Sequence, residues 1–543
     1  MSGGQVSLEE ARSRAWDVVV IGTGMGGSVV AYALARLGHS VLCVEKGVFT
    51  LGDHDRGSGA LTGEAEEPDK RLLQGWWPHR IQGEAYARPM EMFFPLGCGT
   101  GGSYALSAAQ LERMLPADFE PKRHHPDAKE ANLPERWPVA YDEMVPYYRK
   151  AEILFQVSGT QDPLHPDPDA QLNPPPPMSP RDAAIYGAME QAGLHPYRAH
   201  VGCRFVPGCD GCGSRLCPRQ CKTDPGYMCL VPAMRDHGAC ILTECEVQRL
   251  EATKERVTGI RVLHRGEEAT LPCSTVVLAA GTLMSPGILL RSTSDAWPDG
   301  LANRSGMVGR NLMMHTFDQV ALQPAKSLDP EGPHKAISAN DLYNVKGRKL
   351  GNLHSMGLQV SQGSVDAFLR SQTEKTGAWY LKALGKQGRK AVSKVGAKLF
   401  SRANIFSTLV EDLPYSRNRI TLDPGSPNGM RFTYHYPDEL AERNALFRDE
   451  LERRLKGHLT MVNLSGPENL NYGHVSGTVR AGLDPETSVV DGDHRAHDLE
   501  NLYVADASAF PTSGGVNPSL TIAANALRVA DALHGRLAAS GAA

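Results

Sequence analysis

Two patterns in this sequence set ligand-binding residue types at spacings that chemistry requires. The first is Gly22-Thr-Gly24-Met-Gly-Gly27, the G-x-G-x-x-G spacing. Gly22 permits a tight turn, Gly24 lets backbone approach a pyrophosphate, and Gly27 lets a helix pack close to a strand. Glu45 follows at the distance, about twenty residues on, where a carboxylate holds a ribose hydroxyl. This predicts a dinucleotide site. The second pattern is Cys209-Asp-Gly-Cys212-Gly-Ser-Arg-Leu-Cys217-Pro-Arg-Gln-Cys221. Four thiols in thirteen residues, one followed by proline, have the density of an iron–sulfur site. Cys212, Cys217 and Cys221 are the expected ligands, with Cys209 as a fourth. A structural zinc or a disulfide pair competes with that reading.

The glycines must be held between a strand and a helix. Val18–Ile21 is a continuous apolar run and reads as a strand buried on both faces. A helical pattern covers 28–37 and stops at Gly38, and a second buried strand spans 40–44. A similar strand, 275–279, runs into the turn Gly281 to Pro286 and a helix, as where a chain returns to a doubly wound sheet. Between Phe94 and Tyr104 the glycines Gly97, Gly99, Gly101 and Gly102 strip side chains from one approach, which predicts backbone lying along the cofactor. Helices are expected over 142–155 and 180–192, and a proline-rich connector over 159–180. From about 318 to 465 longer alternating strands, such as 352–360 and 417–422, indicate a mainly antiparallel sheet.

At 543 residues and net charge −4 the chain is expected to form two large domains or a few smaller ones, and nothing in its charge points to nucleic acid. The first residues lack the apolar core of a secretory signal, and no run is long enough to span a bilayer. The expected location is the cytoplasm. There the crowding of most of the eleven cysteines into 203–245 suggests metal or redox chemistry. Residues 375–402 hold eight Lys or Arg and no acid. A basic amphipathic helix there would be a solvated cover in the first instance and a membrane-surface contact in the second.

The last eighty or so residues supply a resemblance. Asn471-Tyr-Gly-His474-Val-Ser-Gly477-Thr478-Val-Arg480, Val490-Asp491, Asn501 to Asp506 and on to Phe510-Pro511, and Gly515-Val-Asn517-Pro518-Ser-Leu-Thr521 are similar to the glucose–methanol–choline (GMC) flavin oxidoreductases. The Gly101-Gly102-Ser103 loop and the Gly281–Pro286 turn match two internal signatures of that family, and the sugar and polyol dehydrogenase branch looks most alike. The resemblance implies an α/β fold, with a Rossmann-like FAD-binding domain from 1–115, 200–317 and 466–543. A second domain, mainly antiparallel sheet plus helices, would bind substrate from 116–199 and 318–465. FAD is the implied cofactor, held by Gly22, Gly24, Gly27, Glu45, Gly101, Gly102, Ser103, Val247, Asp506 and Pro518. The implied reaction passes a hydride from an alcohol carbon to flavin N5. His474 and Asn517 are the implied catalytic pair, and neutral imidazole and an amide suit those roles. Some sugar dehydrogenases of the family carry a three-iron cluster in the region of the cysteines. Electrons would then pass to an acceptor protein or a quinone. The alternative is an oxidase that makes peroxide and keeps its cysteines for structure.

Overall fold

The computed structural model describes residues 4–539 and 541, except 52–66, 208, 210–212, 214, 333–334, 360–361, 363–364, 367–368, 370–382, 384, 400 and 467. Val18–Ile21 is the central strand of a five-stranded sheet ordered Leu502–Val504, Thr275–Leu278, Val18–Ile21, Val41–Val44, Cys240–Leu242. Every pairing is parallel, with Val18 opposite both Thr275 and Val41. Successive side chains point to opposite faces, and both faces are covered, which is why the strand has no polar alternation. Val18, Val20, Val41 and Cys43 meet Val29, Val30 and Leu34 of the helix Met25–Arg36 and Leu520, Ala526 and Val529 of the C-terminal helix Ser519–Ala539. Val19, Ile21, Leu42 and Val44 meet a three-stranded antiparallel layer through Val247, Leu250, Ile260 and Leu271, together with Ile288 and Leu289. The strand order reverses at Val18–Ile21, so a ligand crevice is expected at the carboxyl ends of these strands.

A second sheet of seven strands is antiparallel in every pairing. Its long members are Met313–Gln323, Asn404–Val410 and Gly351–Gln359. The helix Asp438–Leu455 covers it, packing Leu440, Phe447 and Leu451 onto Val320, Leu353 and Phe406. Leu470–Ser476 also joins this sheet, on Met313–Gln323, so the sheet takes in a strand beyond residue 465. A small mixed sheet pairs Ile81–Ala85 with Met430–Tyr434 and ties together segments far apart in sequence.

No helix or strand lies between Leu154 and Pro180, in keeping with the proline-rich connector. The basic segment forms a helix over Gly385–Leu399 with Val392 and Val395 exposed, while most of 375–384 lies outside the described residues. Among the described residues no helix is long and apolar enough to cross a membrane.

Candidate active site

The carboxyl ends of the parallel strands carry the glycine fingerprint, and its glycines have separable reasons. Gly22 has φ +93°, and a Cβ there would lie 2.5 Å from the Ala279 carbonyl oxygen. A Cβ on Gly27 would lie 2.0 Å from Gly22 O, and one on Gly26 only 1.6 Å from Ala505 O. Those two let the helix sit against the strand ends. Gly26 had no part in the spacing argument, yet it makes the closest approach of the group. Gly24 differs: a Cβ there would meet nothing nearer than Gly102 Cα at 3.9 Å. The protein itself does not demand glycine at 24. A phosphate on the backbone N–H groups at the start of the helix would, and these residues therefore fit the pyrophosphate of FAD.

The acids expected at the cofactor hold turns. Glu45 Oε2 accepts from Thr23 N at 2.9 Å and Thr23 Oγ1 at 2.7 Å, and its Oε1 accepts from Gly47 N at 2.9 Å. Oε1, with one bond, keeps a lone pair for a ribose hydroxyl. Asp506 Oδ2 accepts from Gly281 N at 2.8 Å and Ser285 Oγ at 2.7 Å, so it pins the second glycine turn. Gly101, with φ +88°, donates its N–H to Thr23 O at 3.0 Å and starts the short helix Gly102–Leu106. A cavity of about 140 Å³ is bordered by Gly22, Gly24, Glu45 and Val247. It shares Gly24, Ser103, Ala279 and Gly281 with a larger cavity of about 670 Å³, bordered also by His474, Asn517 and Pro518. The two cavities therefore adjoin at the glycine turns.

His474, on Leu470–Ser476, and Asn517, just ahead of the C-terminal helix, meet in the larger cavity with Asn517 Nδ2 3.3 Å from His474 Nε2. His474 Nδ1 and Asn517 Oδ1 are buried without partners among the described residues. Burial, with His315, His354 and Lys335 nearby, pushes the His474 pKa well below its usual 6.5, so the ring is neutral at working pH. His315 stands edge-on to His474, ring centres 5.3 Å apart, and donates Nε2–H to Gly514 O at 2.7 Å.

The loop that presents Asn517 is clamped from below. Gly515 N donates to Asp118 Oδ1 at 3.0 Å and lies 3.1 Å from the Tyr343 hydroxyl. That hydroxyl donates to Asp118 Oδ2 at 2.6 Å. Lys349 Nζ lies 2.5 Å from Asp118 and 2.8 Å from Glu411, with His125 2.8 Å from Glu411. Asp118, Lys349 and Glu411 are fully buried. Burial opposes the Lys349 charge, but the two carboxylates outweigh it and hold its pKa up. Ser513 Oγ adds a bond to Asp412 O at 2.9 Å.

A polar stretch of the larger cavity comes from residues that no motif marked. It includes Gln110, Lys335 and His354. Behind them Glu112 lies 3.0 Å from His200 Nδ1 and accepts from the Tyr197 hydroxyl at 3.0 Å. Burial disfavours the His200 charge, yet Glu112 outweighs it and raises the pKa to about 9. His354 goes the other way: burial and the Lys335 amine bring it down to about 3.

Three of the four expected metal-ligand cysteines come together, and Cys212 lies outside the described residues. Cys203 joins them: its Sγ is 3.7 Å from Cys209 Sγ, which is 3.7 Å from Cys221 Sγ, which is 3.3 Å from Cys217 Sγ. Cys203 pairs its backbone with Lys222, and this draws it beside Cys221. The cysteines border a cavity of about 30 Å³, and Phe205, Ala108 and Lys335 separate it from the larger one. Among the described cysteines there is no disulfide.

The GMC oxidoreductase profile matches residues 133–317 and 414–526, and an FAD binding domain profile matches residues 17–80. The chain is 28% identical to 2-methyl-1,2-propanediol dehydrogenase of Mycolicibacterium austroafricanum, covering 96% of this chain and 95% of that one. It is 29% identical to 6'''-hydroxyparomomycin C oxidase of Streptomyces lividus, covering 98% and 93%. Among solved structures, pyridoxine 4-oxidase from Mesorbium loti superposes with a TM-score of 0.62 at 20% identity, covering 96% of this chain and 99% of that one.

Proposed function

The chain belongs to the GMC oxidoreductase family, and from that premise we propose that it oxidises a CH–OH group of a polyol or sugar with bound FAD, His474 acting as the base. FAD, when bound, supplies the hydride acceptor; the other tasks fall to side chains. The observation that carries the reading is the meeting of His474 Nε2 and Asn517 Nδ2 at 3.3 Å in the larger cavity. One atom is a proton acceptor and the other a donor, the two partners a substrate hydroxyl needs. An alcohol between them gives its proton to the imidazole, which burial keeps neutral and receptive. The amide meanwhile holds the alcohol oxygen without competing for the proton. The helix Ser519–Ala539 starts at this point, and Pro518 and Ser519 border the cavity, so its positive end favours negative charge gathering there.

We propose that electrons leave to an acceptor other than oxygen, a protein or a quinone. The test is anaerobic: adding sugars and polyols to the purified flavoprotein should bleach its flavin band, and an artificial acceptor should restore it faster than air does. No bleaching by any alcohol would overturn the reading. Peroxide formed in step with substrate loss would make the protein an oxidase.

The cysteines suit an iron–sulfur cluster in donor type but not in spacing. Each thiolate of a cluster binds a different iron, which spreads the sulfurs apart by the width of the cluster. Contacts of 3.7 Å instead match the edge of a tetrahedron around one ion with metal–sulfur bonds of about 2.3 Å, about 3.8 Å by geometry. We therefore propose a single thiophilic ion, zinc above all, held by Cys203, Cys209 and Cys221 with Cys217 adjacent, in place of the cluster expected at Cys209, Cys212, Cys217 and Cys221. Metal analysis decides it. About one zinc per chain without acid-labile sulfide supports this occupant, and iron with sulfide overturns it.

A further inference from the structure

We infer that Gln110, Lys335 and His354 form a subsite that reads the remote hydroxyls of a non-cationic polyol, a substrate class that sharpens the function proposed above and rests on it. The argument starts at Asp162, whose Oδ2 accepts from Asn340 Nδ2 at 2.8 Å. That fixes the Asn340 amide, so its Oδ1 accepts from Asn352 Nδ2 at 2.7 Å. Asn352 Oδ1 must then accept from His354 Nδ1–H at 2.8 Å. In a neutral ring the proton is committed to Nδ1, and Nε2 is left as an acceptor without a partner among the described residues. Gln110 is fixed likewise. Its Nε2 donates to Glu112 Oε1 at 2.7 Å, so Oε1 is the acceptor left over, and it has no partner among the described residues. Lys335 borders the same cavity, and its amine makes no hydrogen bond or ion pair with a described residue.

The wall therefore holds two unused acceptors and one unused donor. Leaving such groups unpaired beside a bound ligand is unfavourable, because each has given up its water. The hydroxyls of a polyol both donate and accept and can meet all three. The chain of a simple alcohol meets none. An amino sugar could donate to the acceptors, but its ammonium would lie beside the Lys335 amine, which burial already brings down to about 7, and one of the two would have to give up its proton. Neutral polyols and sugar acids are therefore favoured over both alkanols and amino sugars.

The test mixes holoprotein anaerobically with D-glucitol, D-gluconate, D-glucosamine and 1-hexanol, and reads flavin reduction and the shift of the flavin band on binding. For the wild type, the better of glucitol and gluconate should exceed hexanol and glucosamine in efficiency by about 100-fold or more. In Gln110→Leu the gap to hexanol should narrow by about tenfold or more, the loss falling on substrate affinity more than on the limiting rate. In Lys335→Met the gap to glucosamine should narrow likewise. Full flavin content and an unchanged melting temperature identify folded variants. Hexanol or glucosamine matching the polyols in the wild type, or gaps unchanged in folded variants, would overturn the subsite. If no alcohol reduces the flavin, the catalytic reading fails by itself. The subsite then stands if glucitol or gluconate shifts the wild-type flavin band at concentrations that leave Lys335→Met unshifted, and falls if neither does.

Discussion

The cofactor wall and the substrate wall of the cavity are built by opposite means. Around the cofactor the contacts are made by backbone: Gly22, Gly26 and Gly27 bring chain within 1.6–2.5 Å of where a Cβ would stand, and Glu45 and Asp506 bind N–H groups of the turns. On the wall proposed for the substrate the groups offered are side chains, and what each can do depends on the group packed against it. His200 and His354 are both buried. Glu112 raises the first to about 9, whereas burial and Lys335 lower the second to about 3. A grip made of backbone is fixed by residue spacing. A grip made of side chains is fixed by neighbours far away in sequence, as Glu112 and Ser338 are.

The largest expected effects separate two glycines of the cofactor wall. Gly27→Ala puts a Cβ 2.0 Å from Gly22 O, a backbone atom that cannot step aside, so the fold itself should fail and soluble yield collapse. Gly24→Ala meets no protein atom closer than 3.9 Å. It should give stable but colourless protein, with the apoprotein melting where the wild-type apoprotein does. Full flavin in Gly24→Ala would break the comparison, since the open side of Gly24 would then not be where phosphate lies.

The next effect lies under the Asn517 loop. Asp118→Asn leaves the fully buried Lys349 with Glu411 as its single carboxylate. Breaking a buried pair in this way costs about 3–5 kcal/mol. Denaturant unfolding should show that loss, and flavin reduction should slow as the clamp under Gly515 loosens. A variant of wild-type stability would mean that the clamp carries no weight.

The smallest effect is in pH. His354, His474 and His494 have pKa values lowered by burial, His354 and His494 to about 3. Below about pH 6.5 the unfolded chain binds protons that the native state refuses, so stability falls as pH drops, by up to about 1.4 kcal/mol per pH unit for each such ring. His200, raised to about 9, works in the other window. Its contribution is complete below pH 6.5 and is lost as pH rises toward 9. Unfolding measured across pH 5 to 9 should show both shoulders, and His354→Gln should soften the acid one alone. A flat profile below pH 6.5 would contradict the neutral histidines.

The same division explains what could be read from sequence. The strand Val18–Ile21, the glycine turn and the antiparallel character of the second sheet follow from local pattern, and so they were legible. The helix after the glycine turn begins at Met25, not at residue 28, because Gly24 serves as its cap and polar patterning does not mark that position. The meeting of His474 and Asn517 was legible because both lie inside motifs. Lys349 with Asp118 and Glu411, and His354 with Asn352, Asn340 and Asp162, were not, because packing alone assembles them from distant segments. Cys203 stood in the cysteine-rich region, but short spacing drew attention to 209–221. The backbone pairing of Cys203 with Lys222, which brings it in, has no sequence signature.

The central claim, that His474 takes the hydroxyl proton in the cavity it shares with Asn517, is tested most directly by single-turnover flavin reduction. His474→Ala holoprotein is mixed without air with a polyol that bleaches the wild type, and the flavin band is followed. The account predicts full flavin content and a reduction rate lower by about 10²–10⁴-fold, the usual share of a general base. A rate equal to wild type in flavin-replete protein would contradict it.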